Sequence, residues 1–91
     1  MEEKIKAINN YLSANFQDAM VANKYEFERR SQLFRISNKE IKLCYISIDF
    51  INESTIKKII STLNATLAVS VLKTELDKIY INVNGILNEA I

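Results

Sequence analysis

The first part of the chain alternates apolar and polar positions with the period of an α-helix. Apolar side chains recur at spacings of three and four residues, at Ile5, Ile8, Leu12, Phe16 and Ala19. Such spacing collects them into one stripe along a helix that packs on a core. Glu2 and Glu3 lie where the helix dipole favours acidic side chains, and Asn23 is a residue type that commonly follows a helix C-terminus. The pattern predicts an amphipathic helix over residues 2–22.

After this helix the period of the pattern changes to two, which is typical of β-strands. Side chains alternate in character over residues 25–30, and a second strand is predicted over 33–37. Asn38 begins a turn, because asparagine favours turn conformations. The strongest strand pattern covers 41–51, but its apolar face switches near Tyr45. The switch indicates either a strand that is covered on both faces or a bulge that shifts its register.

Residues 52–55 carry side chains that typically cap a helix N-terminus. An apolar stripe follows at helical spacing, at Ile56, Ile59, Ile60, Leu63 and Leu67. Residues 65–77 fit two patterns. As a strand, their side chains alternate; as a helix, they place Val69, Leu72 and Leu76 opposite the stripe, where a second surface must cover them. We favour the strand, and the helical interpretation stays open.

A last strand is predicted over residues 78–84, where aliphatic residues alternate with polar ones. Gly85 is the only glycine in the chain and marks a turn, and residues 86–91 fit a short helix. The predicted order is α-β-β-β-α-β-β within a single domain over residues 1–91. Helices that bury one apolar stripe against a sheet form a two-layer α+β sandwich. We therefore predict an antiparallel sheet with two amphipathic helices packed on one face.

The amino-acid composition is that of a folded globular protein, and it argues against nucleic acids and membranes as partners. Apolar residues make up 48% of the 91 residues and charged residues 25%, with a net charge of +1. This balance argues against a dedicated nucleic-acid binder, and no apolar run reaches the roughly 18 residues of a membrane span. A single cysteine and a polar N-terminus predict a cytoplasmic protein. Abundant Ile, Lys and Asn, whose codons are rich in A and T, point to a prokaryotic or viral source.

Candidate catalytic chemistry is sparse. The chain has no histidine, which removes a common general base and the commonest metal ligand. Cys44 lies in an apolar strand pattern, without the surroundings that activate a thiol. Asp49 and Glu53 flank a predicted strand-to-helix junction, but their spacing matches no metal-binding loop, and helix capping or solvation accounts for them. We predict a protein that is not an enzyme and that uses no metal or cofactor.

The favoured function is therefore a non-catalytic protein-interaction module. This class includes small adaptors, chaperone-like proteins and the inhibitor or immunity proteins of phages and mobile elements. The apolar residues exceed what two simple helix stripes need. Val69, Leu72 and Leu76 are the candidate contact residues for another protein. A second copy of the chain, forming a homodimer, is the simplest such partner.

The alternative is a nucleic-acid-binding protein with an arginine and aromatic strand surface. Arg29, Arg30 and Arg35 lie close together across the first predicted strand turn, with the aromatic residues Tyr25, Phe27 and Phe34 beside them. Arginines contact phosphates, and aromatic rings stack on bases. Glutamates interleaved with these residues weaken the local positive potential, so this function ranks second.

Overall fold

The computed structural model describes residues 2–37, 41–84 and 87–88. Within these residues the chain forms four helices and five strands. In chain order they are α1 (Glu2–Asn15), β1 (Met20–Glu26), β2 (Ser31–Ser37), β3 (Ile41–Ser47), α2 (Ile48–Glu53), α3 (Ile56–Ala65), α4 (Ala68–Thr74), β4 (Lys78–Ile81) and β5 (Leu87–Asn88). The turn predicted at Asn38 and the one at Gly85 lie outside the described residues.

The strands form one mixed sheet in the order β1-β2-β3-β4-β5. β1, β2 and β3 pair antiparallel as a meander, and β4 pairs antiparallel with β5. β4 lies parallel to β3, with Leu43 opposite Lys78, because α2, α3 and α4 return the chain to the starting end of the sheet. The prediction of a purely antiparallel sheet is therefore wrong for this one strand pair, since parallel neighbours need a long crossover connection.

The helices cover one face of the sheet, which confirms the predicted α+β fold. Alternate strand residues point toward the helices and are buried there: Phe34, Ile36, Cys44, Ile46, Ile79 and Ile81. Each helix adds apolar side chains to the same core: Ile8, Leu12, Phe50, Ile51, Ile59, Leu63, Ala68 and Leu72. The period of two in the strands and the apolar stripes of the helices meet in this single cluster.

The first helix is shorter than predicted. It ends at Asn15, and Asp18 adopts a left-handed conformation with φ 59° as the chain reverses. Residues 20–22, which belong to the predicted helix, instead form the first part of β1. Pairing with β2 along the whole strand, with Val21 packed against the core, outweighs the local pattern.

The third strand also ends earlier than predicted. Ser47 closes β3 and caps α2, accepting a hydrogen bond from the Phe50 backbone N–H at 3.2 Å. Tyr45 points away from the helices yet is only 6% exposed, so both faces of this strand are covered. Thr55 caps α3 by accepting from the Lys58 N–H at 3.1 Å, as the capping pattern predicts.

Residues 65–77 are helical, so the favoured strand interpretation is wrong and the alternative is correct. α3 ends at Ala65, and α4 follows after Leu67, which has a left-handed backbone with φ 58°. This break changes the direction of the chain. The second apolar stripe, with Ala68 and Leu72, then faces the core of its own chain. Leu87–Asn88, within the short helix predicted over 86–91, instead pair with β4 as a strand.

Candidate protein-interaction surfaces

The three residues predicted to contact a protein partner lie in or against the core of the domain. Leu72 is 0% exposed in the core, and Val69 and Leu76 are partly buried against the same core. Their side chains are apolar because α4 packs on the sheet, not because a second chain covers them. The expectation that they form an exposed contact surface is corrected on this geometry. Much of the excess of apolar residues in the sequence is explained by α4, a helix that the strand interpretation did not include.

The three predicted nucleic-acid residues separate in space. Arg35 lies exposed on β2, and the Arg29 guanidinium lies 4.8 Å from the centre of the Tyr45 ring, on the same side of the sheet. Arg30 instead approaches Asp49 of α2 at 3.5 Å, in a solvent-exposed pair. Phe34, predicted to contribute a stacking ring, is buried in the core. Two of the three arginines thus share a face, and of the three predicted aromatic neighbours Phe34 is buried while Tyr25 and Phe27 are exposed.

The sheet face opposite the helices, called here the open face, carries no helix within the described residues. Paired residues share a face of a sheet, so the strand registers define it. Its members are Met20, Ala22, Lys24, Glu26, Ser31, Leu33, Arg35, Ser37, Ile41, Leu43, Tyr45, Ser47, Lys78 and Tyr80. Leu33 and Tyr45 form a small buried cluster, with Leu43 and Tyr80 partly buried against it. Two exposed apolar side chains, Met20 and Ile41, continue it toward one end.

Cationic side chains surround this apolar centre. Lys24 pairs with Leu33, and Arg35 and Lys78 are the two neighbours of Leu43 across the strands. Lys24, Arg35 and Lys78 are all exposed. Among the strand residues that define the face, the one carboxylate is Glu26. A shallow depression of about 100 Å³ opens between Lys24 and Arg35. The open face is therefore an apolar patch with a positive border.

The outer side of β1 is a second candidate surface. The β1 edge consists of residues 20–27, and within the described residues β1 pairs only with β2. Met20, Tyr25 and Phe27 expose 79%, 47% and 81% of their surface there. The Tyr25 and Phe27 rings make an edge-to-face contact with centroids 6.3 Å apart. An unpaired strand edge with exposed apolar side chains is a template for pairing with another chain.

A groove adjoins the β1 edge. It has a volume of about 470 Å³ and lies between α1 and β1, with Ile5, Lys6, Asn9 and Asn23 in its lining. The Asn9 side-chain oxygen is buried and accepts no hydrogen bond from the part of the chain that the structure describes. A buried acceptor without a partner costs about 1–3 kcal/mol.

The residues considered as candidates for catalysis are one buried cysteine and two exposed carboxylates. Burial raises the pKa of the Cys44 thiol to about 12, so its nucleophilic thiolate form is scarce at neutral pH. Asp49 lies in the first turn of α2 beside Arg30, and Glu53 is exposed at the end of that helix. No group of three or more potential metal ligands occurs among the described residues.

Comparison with known proteins adds no relative. No protein-family model matches the chain, and no match was found among curated proteins or solved structures. Within the described residues, every helix is too short or too polar to cross a membrane.

Proposed function

We propose that this protein is a non-catalytic protein-interaction module of the adaptor, chaperone-like or inhibitor type, and that it acts as a homodimer through the β1 edge. The observation that carries the proposal is the outer side of β1, with which no other described strand pairs, together with the exposed Met20, Tyr25 and Phe27. Native proteins usually protect such edges with charged side chains, proline, bulges or a covering element, and β1 carries the charges of Lys24 and Glu26. The chain has no proline, and β1 pairs with β2 without a bulge over its seven residues. A cytoplasmic location belongs to the same proposal, supported by the free thiol of Cys44.

The β1 edge is self-complementary when two copies pair antiparallel about Asn23. Asn23 is the midpoint of Met20–Glu26, so a two-fold axis there pairs the whole strand with its copy. Val21 then lies opposite the partner's Tyr25, and Ala22 lies opposite the partner's Lys24. Centring the axis on Lys24 would instead place two ammonium groups opposite each other, which is unfavourable.

Two sources of free energy support this dimer. Strand backbone groups on the outer side of β1 would exchange water for the backbone of the second copy, and each cross-strand side-chain pair contributes about 0.2–1 kcal/mol. The groove beside α1 reaches Asn23, at the proposed axis, and Asn9 contributes to its lining.

Nucleic-acid binding is the second candidate function, and the shared face of Arg29 and Arg35 is the observation that favours it. Fewer observations of the surface favour nucleic-acid binding than favour protein binding. Arg30 lies beside Asp49, and Phe34 is inside the core. Tyr45 is 6% exposed beneath Arg29, so its ring offers little surface for a base to stack on.

Sedimentation equilibrium over a range of protein concentrations tests the homodimer. We expect a concentration-dependent dimer that dissociates when Tyr25 and Phe27 are both changed to lysine. The matched control is Leu67→Lys, which changes a residue that is 64% exposed and far from β1 in sequence, and it should leave dimerisation unchanged. A wild-type protein that stays monomeric at the highest soluble concentration would refute the dimer.

Disulfide crosslinking tests the register. Directly opposite residues in an antiparallel pair have Cα atoms about 4.5–5.5 Å apart, which suits a disulfide. Asn23→Cys should therefore crosslink to its own copy under mild oxidation, while the exposed Asn52→Cys control should not. Cys44 is buried and will not compete. Equal crosslinking of the two variants would reject pairing about Asn23.

A further inference from the structure

We propose that the open face binds an acidic amphipathic helix of a different protein. The inference deepens the proposed role as a protein-interaction module by naming a partner class, and it does not depend on the homodimer. Its basis is the combination of an apolar cluster that no described helix covers with a cationic border, on strands whose other face packs against the core.

The shape of the open face suits one helix. The distance from β1 to β4 covers three strand spacings, about 14 Å, and a helix with its side chains is about 10 Å wide. Leucine-type side chains of such a helix can contact Leu43 and Tyr80, which are only partly buried, and the exposed Met20 and Ile41. The depression between Lys24 and Arg35 can receive one of these side chains.

The charge pattern selects the occupant. Lys24, Arg35 and Lys78 are exposed on three different strands, with Glu26 as the one carboxylate among the strand residues of the face. Glutamates that flank the apolar stripe of a helix would lie against these cations. A second copy of this chain on the same face would bring like charges together, which costs several kcal/mol in a contact. The charge pattern thus favours a heterologous acidic partner here.

The phosphates of a nucleic acid can pair with the cationic side chains of the open face, but they make no favourable contact with its apolar centre. The buried Leu33 and the partly buried Leu43 offer no stacking platform, and Arg29 lies over the Tyr45 ring. An apolar helix stripe buries Met20 and Ile41, whereas a phosphate backbone leaves them in water. The observations therefore favour a protein partner, and nucleic-acid binding is an outcome that the experiment separates.

The test measures binding of a designed peptide by fluorescence anisotropy. The probe is a labelled helical peptide of about 16 residues, about 24 Å long, with leucines along one stripe and glutamates on both sides of it. We expect Arg35→Glu with Lys78→Glu to weaken its binding about tenfold or more. The matched control is Lys57→Glu with Lys58→Glu on α3, which makes the same charge change at exposed positions off the sheet and should alter binding less than about twofold.

Two further probes identify the class of ligand. A peptide with the same glutamates but serine in place of leucine should bind much more weakly than the leucine peptide. Equal binding of these two peptides, or tighter binding of an oligothymidine of about 15 nucleotides, would overturn the proposal in favour of a general anion or nucleic-acid surface. Equal losses from the two charge-reversal pairs would also overturn it, since they would show no preference for the open face.

Failure of this inference is distinguishable from failure of the homodimer. The peptide measurement is repeated on the Tyr25→Lys, Phe27→Lys variant, whose substitutions lie on the β1 edge. If the protein is monomeric and still binds the peptide, the result supports the open face as the binding site. The homodimer is then judged by sedimentation equilibrium alone. If the protein dimerises but does not bind the leucine peptide, the homodimer is supported and the helix-binding role of the open face is refuted.

Discussion

Replacing Leu72 by alanine is expected to destabilise the protein strongly at every protein concentration. Leu72 is 0% exposed and belongs to the core cluster between α4 and the sheet. The substitution removes three carbon atoms, worth about 2.4 kcal/mol at about 0.8 kcal/mol per buried methylene. The cavity left behind brings the expected loss to about 3–4 kcal/mol, slightly offset by the higher helix propensity of alanine.

This loss is large relative to the expected stability of the whole domain. A chain of 91 residues has a free energy of unfolding of about 5–14 kcal/mol. For a domain of this size each kcal/mol shifts the midpoint of thermal unfolding by about 4–8 °C, so Leu72→Ala should lower it by roughly 12–30 °C. Leu72→Met keeps most of the side-chain volume and should cost less than about 1.5 kcal/mol.

Urea unfolding followed by circular dichroism measures this effect. Wild type, Leu72→Ala and the control Leu67→Ala are compared at equal concentrations, because dimerisation makes apparent stability depend on concentration. Leu67 is 64% exposed, so its truncation should change stability by less than about 0.5 kcal/mol. If Leu72→Ala lost less than about 1 kcal/mol, or weakened only the dimer, Leu72 would be an interface residue, as the sequence alone suggests.

Three further predictions concern the thiol, one ion pair and one helix cap. Cys44 should resist alkylation at neutral pH until the protein unfolds, because burial both blocks access and raises its pKa to about 12; mass spectrometry after iodoacetamide treatment measures this. The hydrogen bond from Lys42, at 2.7 Å, lowers the pKa of Asp77 below its usual 3.8. Its stabilisation is therefore present above that pH and is lost as the pH falls through the lowered pKa, so Asp77→Asn should flatten the acid limb of a stability–pH curve. Thr55→Ala should cost about 1 kcal/mol in urea unfolding, and an unchanged midpoint would exclude the cap.

Elements with a strong local period are predictable from the sequence. The stripe that begins at Ile56 places α3, and alternation places β4, because each pattern is satisfied by one buried face. Thr55 can be recognised as a cap because its hydroxyl binds a backbone group only three residues away. These features depend on short-range geometry, which the order of residues expresses directly.

Two errors in the prediction come from long-range competition. Residues 20–22 belong to the predicted helix but pair with β2, whose residues lie up to 17 positions away in sequence; Met20, for example, lies opposite Ser37. The sequence does not indicate that the chain's own core covers Val69, Leu72 and Leu76. Their burial depends on the left-handed turn at Leu67, which directs α4 onto the core. This turn has no glycine, so the sequence does not predict it. Leucine rarely adopts that conformation, so the turn is a consequence of packing.

The sequence by itself determined the α+β class, the near-neutral charge and the absence of histidine chemistry. The tertiary structure alone decided which residues lie together on the surface. Lys24, Arg35 and Lys78 meet around one apolar patch only because the β1-β2-β3 registers and the parallel β4 bring three distant segments side by side. Local periodicity reports which face of a segment is buried; it carries no information on which other segment lies beside it, and the candidate surfaces depend on that pairing.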